Sequence, residues 1–162
     1  MTDPTPAEGV VSAKSDADGI VIVRVFDAPR ELVFKAWTEP RNAELMRLLA
    51  RDGHRLVVTA APDAREKAIV ARILAEAAVP VTDLSGALSL REMAALSARA
   101  RLFFGVDSAP MHIAAAMGTP VVALFGPSGE KEWGPWRVPH RVVTSDHPCR
   151  PCGNDGCGGS KV

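Results

Sequence analysis

No cysteine occurs before Cys149, and the three present, Cys149, Cys152 and Cys157, all fall in the last fourteen of 162 residues. That placement does not suit the disulfide framework of a small secreted domain, so the core must hold without covalent staples. Net charge is also lacking: 19 basic residues balance 19 acidic ones. No global field therefore draws this chain to nucleic acid or to an anionic membrane, and any anion it binds must be captured locally. Long apolar runs are missing as well. Leu102 to Val106 and Val121 to Phe125 are far short of the roughly 20 residues that span a bilayer. With no signal-peptide pattern at the N-terminus, the expectation is a cytoplasmic protein with no membrane span.

The length suits one domain with appendages and not two full-sized domains. Residues 1–19, rich in Pro, Asp, Ala, Ser and Gly, bury too little apolar area to offset the cost of ordering and read as a flexible tail. Ile20 to Phe26 is a β-branched run long enough for one strand, and a short apolar helix through Leu32, Val33 and Trp37 follows, ended by Pro40. Asn42 is placed to cap a second helix with Leu45, Leu48 and Leu49 on one face, and Gly53 supplies its left-handed C-terminal position. A strand is predicted at Leu56 to Thr59. Asp63 with Glu66, and Ser89 with Glu92, form capping-box spacings. The first opens a helix burying Ile69, Val70, Ile73 and Leu74, the second one burying Leu90, Met93, Ala94 and Ser97. Strands are predicted at Val79 to Leu84, Leu102 to Val106 and Val121 to Phe125, with a small-residue helix from Ser108 to Met117 closed by Gly118. The alternation implies an α/β, three-layer, Rossmann-like domain: a mainly parallel sheet of five or six strands with helices on both faces and ligands outside the strands' carboxyl ends.

The run Phe104-Gly-Val-Asp-Ser-Ala-Pro-Met-His-Ile-Ala-Ala-Ala-Met-Gly-Thr-Pro-Val-Val-Ala-Leu-Phe-Gly-Pro-Ser128 carries the chemistry. A buried strand delivers Asp107 to the sheet edge, and a helix starts at once, its free amides and positive dipole end facing the crevice where a diphosphate can bind. Ser108 suits the N-cap and adds a hydroxyl, Pro110 suits the first turn, and His112 projects from that turn. The Ala114 to Ala116 run lets the helix approach the sheet closely. From spacing alone, Asp107 and Ser108 capping a purely structural helix, with His112 a core histidine, is an equal reading.

With Leu84-Ser-Gly-Ala-Leu-Ser-Leu-Arg-Glu-Met93 before it and Trp133-Gly-Pro-Trp136 after it, this run resembles the C-terminal domain of the lipopolysaccharide heptosyltransferases. Those bacterial enzymes have a GT-B fold of two facing Rossmann-like domains and move heptose from an ADP-activated donor to the lipopolysaccharide core. The resemblance implies that residues 42–146 form the donor-binding half of such an enzyme. It implies Asp107 as the catalytic residue that orients the donor sugar, Ser108, Ala109 and His112 at the phosphates and sugar, and Leu88, Met111 and Gly126 in the same donor site. Many members carry glycine where Ala109 stands. The implied partners are an ADP-heptose-like donor and, only with a complementary domain, a lipopolysaccharide core acceptor; no separate cofactor is implied, and the chain alone is expected to be inactive.

Val25-Phe-Asp-Ala-Pro-Arg-Glu-Leu-Val-Phe-Lys-Ala-Trp-Thr-Glu-Pro40 resembles instead the opening strand and helix of the activator of heat-shock-protein-90 ATPase-like family. This resemblance implies a fragment over residues 20–41, a fusion joint near residues 40–43, and a non-enzymatic cochaperone or ligand-binding protein as the alternative function. A second reading lets the strand from Ile20 to Val25 replace the first strand of the sugar-nucleotide-binding half, which places Lys35 where heptosyltransferases often carry a phosphate-facing Lys-x-Trp. The cysteines of the tail at 147–162 have metal-ligand types and a first spacing of two, with His147 or His140 as a possible fourth ligand. Reduced loop thiols and no metal remain the expectation.

Overall fold

The computed structural model describes residues 20–24, 39–144 and 150–152. The expectations for residues 1–19, for Lys35 and Trp37, and for His147, Cys149 and Cys157 fall outside those residues. Six strands, β1 (Ile20–Arg24), β2 (Arg55–Thr59), β3 (Val81–Asp83), β4 (Ala100–Val106), β5 (Val121–Leu124) and β6 (His140–Val143), alternate with helices α1 (Glu39–Arg51), α2 (Ala64–Ala77), α3 (Leu90–Ala98), α4 (Ala109–Ala116) and the single turn α5 (Glu130–Trp133). All six strands join one sheet in the order β3-β2-β1-β4-β5-β6, and every neighbouring pair is parallel. The α/β Rossmann-like architecture is thus as the sequence predicts.

The position of β1 ties the N-terminal strand to the rest of the sheet. Val21, Ile22 and Val23 pair on one side with Leu56, Val57 and Val58, and on the other with Leu102, Phe103 and Phe104. Strand β1 is central, and without it the two halves of the sheet would have no common neighbour. Its alternation feeds both layers. Val21 and Val23 pack with Ala43, Met46, Val58, Val70 and Ile73 under α1 and α2. Ile22 packs with Met93, Phe103, Met111 and Ala114 under α3 and α4. The strand before residues 40–43 and the elements after them therefore share one sheet and one pair of cores.

Local signals decide most element ends. Gly53 takes φ +82 after α1, where a side chain would be strained. Asp63 Oδ1 accepts from the amides of Arg65 and Glu66 at 2.9 and 3.0 Å. Glu66 does not close the box; its carboxylate takes the Ala61 amide at 2.7 Å. At α3 the box is complete, with the Glu92 amide donating to Ser89 Oγ at 3.3 Å and the Ser89 amide to Glu92 Oε2 at 2.8 Å. The Ser89 hydroxyl also donates to that carboxylate at 2.7 Å, and this bond, followed by the one from the Ser89 backbone, holds the Glu92 pKa below the ordinary carboxylate range. Because the folded value is lowered, the stabilisation is complete above the unfolded pKa and is lost as pH falls through the folded one. Ser89→Ala is therefore expected to destabilise the fold at neutral pH, and urea titrations should show the difference shrinking in acid.

Several expectations are corrected. Helix α1 begins at Glu39, so Pro40 stands in its first turn, where a missing N–H costs nothing; Asn42 lies inside the helix and is buried. The buried face of α1 carries Ala43 and Met46, while Leu48 is exposed. On α3 only Met93 and Ser97 are buried, and Leu90 is 72% exposed. Strand β3, at the outer edge of the sheet beyond β2, is shorter than the predicted Val79 to Leu84.

Candidate functional site

In a sheet of this order the sense in which successive strands are added reverses between β1 and β4, and the crevice opens outside the carboxyl ends of those two strands. Strand β4 ends at Val106 and delivers Asp107, Ser108 and the first turn of α4 to that crevice. Asp107 is held by its own backbone, its amide donating to the Leu124 carbonyl at 3.2 Å. Its carboxylate is half-buried, with Oδ1 3.7 Å from His112 Nε2. That separation exceeds a hydrogen bond and leaves both groups able to meet a ligand. The structure therefore brings Asp107 and His112 together and keeps both at the surface.

Ser108 occupies the N-cap position, extended at φ −167 and ψ 165, but its side chain makes no cap bond. The hydroxyl donates instead to the Val106 carbonyl at 3.2 Å. This departs from the capping role expected for it, and its replacement removes no cap bond from the helix. The Ser108 carbonyl accepts the amides of Met111 and His112, while Pro110 has no amide to offer. Ala109 is exposed, and its amide has no partner among the described residues. An unclaimed N–H at the positive end of an eight-residue helix, next to a hydroxyl and an imidazole, is the equipment for holding an anion.

The remaining expected site residues divide. The Met111 side chain is fully buried in the core beneath α4, and Leu88 packs against the same core cluster. Met111 consequently positions the helix and does not line the crevice; its presence at this spacing is a packing requirement. Ala114 and Ala115 are buried against the sheet, whereas Ala116 is exposed. Gly126 lies at the carboxyl end of β5, one strand from Asp107. Cys152 is half-buried and its sulfur is a free thiol. Sequence reasoning missed Arg150, which reaches back 24 residues to bond the Gly126 carbonyl at 2.6 Å.

Residues 12–162 match the family model of glycosyltransferase family 9 (heptosyltransferase). The chain belongs to that family. The match begins before β1, in agreement with the central place of that strand in the sheet. Lipopolysaccharide heptosyltransferase 3 of Escherichia coli is 40% identical over 105 residues, 64% of this chain and 31% of that protein. Lipopolysaccharide heptosyltransferase 2 of Salmonella typhimurium is 31% identical over 111 residues, 67% of this chain and 32% of that protein. Among solved structures, a family 9 glycosyl transferase from Veillonella parvula superposes with TM-score 0.71 at 25% identity, covering 81% of this chain and 36% of the other. The E. coli heptosyltransferase WaaC with ADP gives TM-score 0.66 at 26% identity, covering 83% and 40%. The chain thus spans about a third of the length of these curated relatives. No helix among the described residues is long and apolar enough to cross a membrane.

Proposed function

We propose that this family 9 chain is the donor-binding half of a heptosyltransferase, corresponding to the C-terminal domain of a GT-B enzyme, and that it takes ADP-heptose or a related nucleotide sugar. One observation carries this reading. The unclaimed Ala109 amide and the Ser108 hydroxyl open α4 at the switch point of the sheet, beside Asp107 and His112. In this proposal the helix end and His112 face the diphosphate, the Ser108 hydroxyl turns from the Val106 carbonyl to join them, and Asp107 faces the sugar. Preorganised donors of this kind stabilise the charge that builds on the departing diphosphate. Lys35 is proposed to join them from the segment after β1. Transfer to a lipopolysaccharide core acceptor needs a second domain, so these 162 residues alone are expected to bind donor without turnover.

Calorimetry and thermal melting with ADP and an ADP-sugar test the assignment. ADP at about a hundredfold its Kd should stabilise the fold by about 2.7 kcal/mol, or about 5–10 °C in Tm for a domain of this size. Asp107→Asn should leave ADP affinity unchanged or slightly better, since a carboxylate near a diphosphate only repels it, while weakening the ADP-sugar. Equal losses for both ligands in that variant would show that Asp107 does not address the sugar.

A further inference from the structure

Residues 150–152 close over the loop that follows β5, and the contacts are specific. Arg150 is nearly buried, its side chain 12% exposed. Its guanidinium donates to the Gly126 carbonyl at 2.6 Å and to the Ser128 carbonyl at 3.4 Å, and it pairs with the Glu130 carboxylate at 3.0 Å. Two residues on, the Cys152 amide donates to the Pro127 carbonyl at 2.8 Å. Three successive carbonyls, of Gly126, Pro127 and Ser128, are thereby all claimed by a single short segment. The loop they belong to leaves β5 beside the turn bearing Asp107, since Val106 is in register with Leu124 and the Asp107 amide bonds the Leu124 carbonyl.

Carbonyl oxygens are the wrong groups to show a diphosphate, because their partial negative charge repels it. A flexible Gly-Pro-Ser-Gly loop could turn them toward the crevice. With each one satisfied from the tail, that rotation would break a charge-assisted or backbone hydrogen bond. The planar fork of arginine can hold two carbonyls and a carboxylate at once, whereas the ammonium of lysine is a single point. We infer that Arg150 is a positioning residue of the donor site, which locks the 126–130 loop with its carbonyls turned outward so that the crevice beside Asp107 accepts a diphosphate. This inference rests on the donor-site reading above.

The experiment compares the 162-residue protein with Arg150→Ala, Arg150→Lys and Glu130→Gln, by ADP calorimetry well below the melting temperature and by hydrogen exchange of residues 126–130. Arg150→Ala should lose at least tenfold in ADP affinity and exchange faster in this loop, with β1 and β2 protected as before. Arg150→Lys should recover part of the affinity, and Glu130→Gln, which leaves both carbonyl bonds in place, should lose less than threefold. A fall in Tm with ADP affinity unchanged in Arg150→Ala would reduce Arg150 to a structural tie and overturn the inference. Wild-type protein that takes up no ADP would contradict the donor-site reading itself, and this inference with it.

Discussion

Ile22→Asp is expected to abolish cooperative folding. Ile22 is fully buried at the middle of the central strand, between Val57 and Phe103. Removing its side chain from the core forfeits about 1.5–3 kcal/mol of apolar burial. An unpaired carboxylate in its place adds several kcal/mol of desolvation, and the total rivals the 5–15 kcal/mol that holds a typical domain together. Circular dichroism should show no sigmoidal urea transition for the variant, whereas Ile22→Val should keep one and lose only about 0.5–1.5 kcal/mol. An appendage fused ahead of residue 40 makes the opposite prediction, in which both variants melt like the parent. The contrast tests the placement of β1 without reference to any ligand.

That placement also marks the limit of what the sequence discloses. The β-branched run at Ile20 announces a strand, but periodicity is local and says nothing about which strands lie beside it. The likeness of residues 25–40 to another family likewise says nothing about which strands β1 joins. Elements with strong local chemistry were legible: the Ser89–Glu92 box, Asp63 as a cap, Gly53 at its left-handed turn, and the buried strand leading into Asp107. Strand β6 was not, because His140 and Arg141 are exposed at the sheet edge and leave no apolar run to detect. Asn42 has a residue type that suits a cap, yet it lies inside the helix, and Pro40, acceptable in a first turn, is the better marker of the helix start. At the site, Ser108 stands where expected but spends its hydroxyl on the Val106 carbonyl, which residue type alone does not disclose. Arg150 had no signal at all, since nothing in a cysteine-rich tail indicates a partner 22 to 24 residues earlier.

The most direct measurement uses Ala109→Pro. Ala109 is the first residue of α4, exposed, with an amide that bonds nothing among the described residues. Proline is tolerated at such a position because the lost N–H had no helical partner and the ring fixes a helical φ. Ser108 before it already lies at φ −167 and ψ 165, the extended region that a residue preceding proline prefers. The fold should therefore survive with Tm within about 2 °C of the parent, a change of under about 1 kcal/mol, while the donor amide nearest the proposed diphosphate is gone and a ring stands in its place. Calorimetric titration with ADP should give a clear isotherm for the parent and for Ala109→Gly, and at least a tenfold weaker one, or none, for Ala109→Pro. Equal ADP affinity in the parent and in a folded Ala109→Pro protein would contradict a diphosphate site at the start of α4.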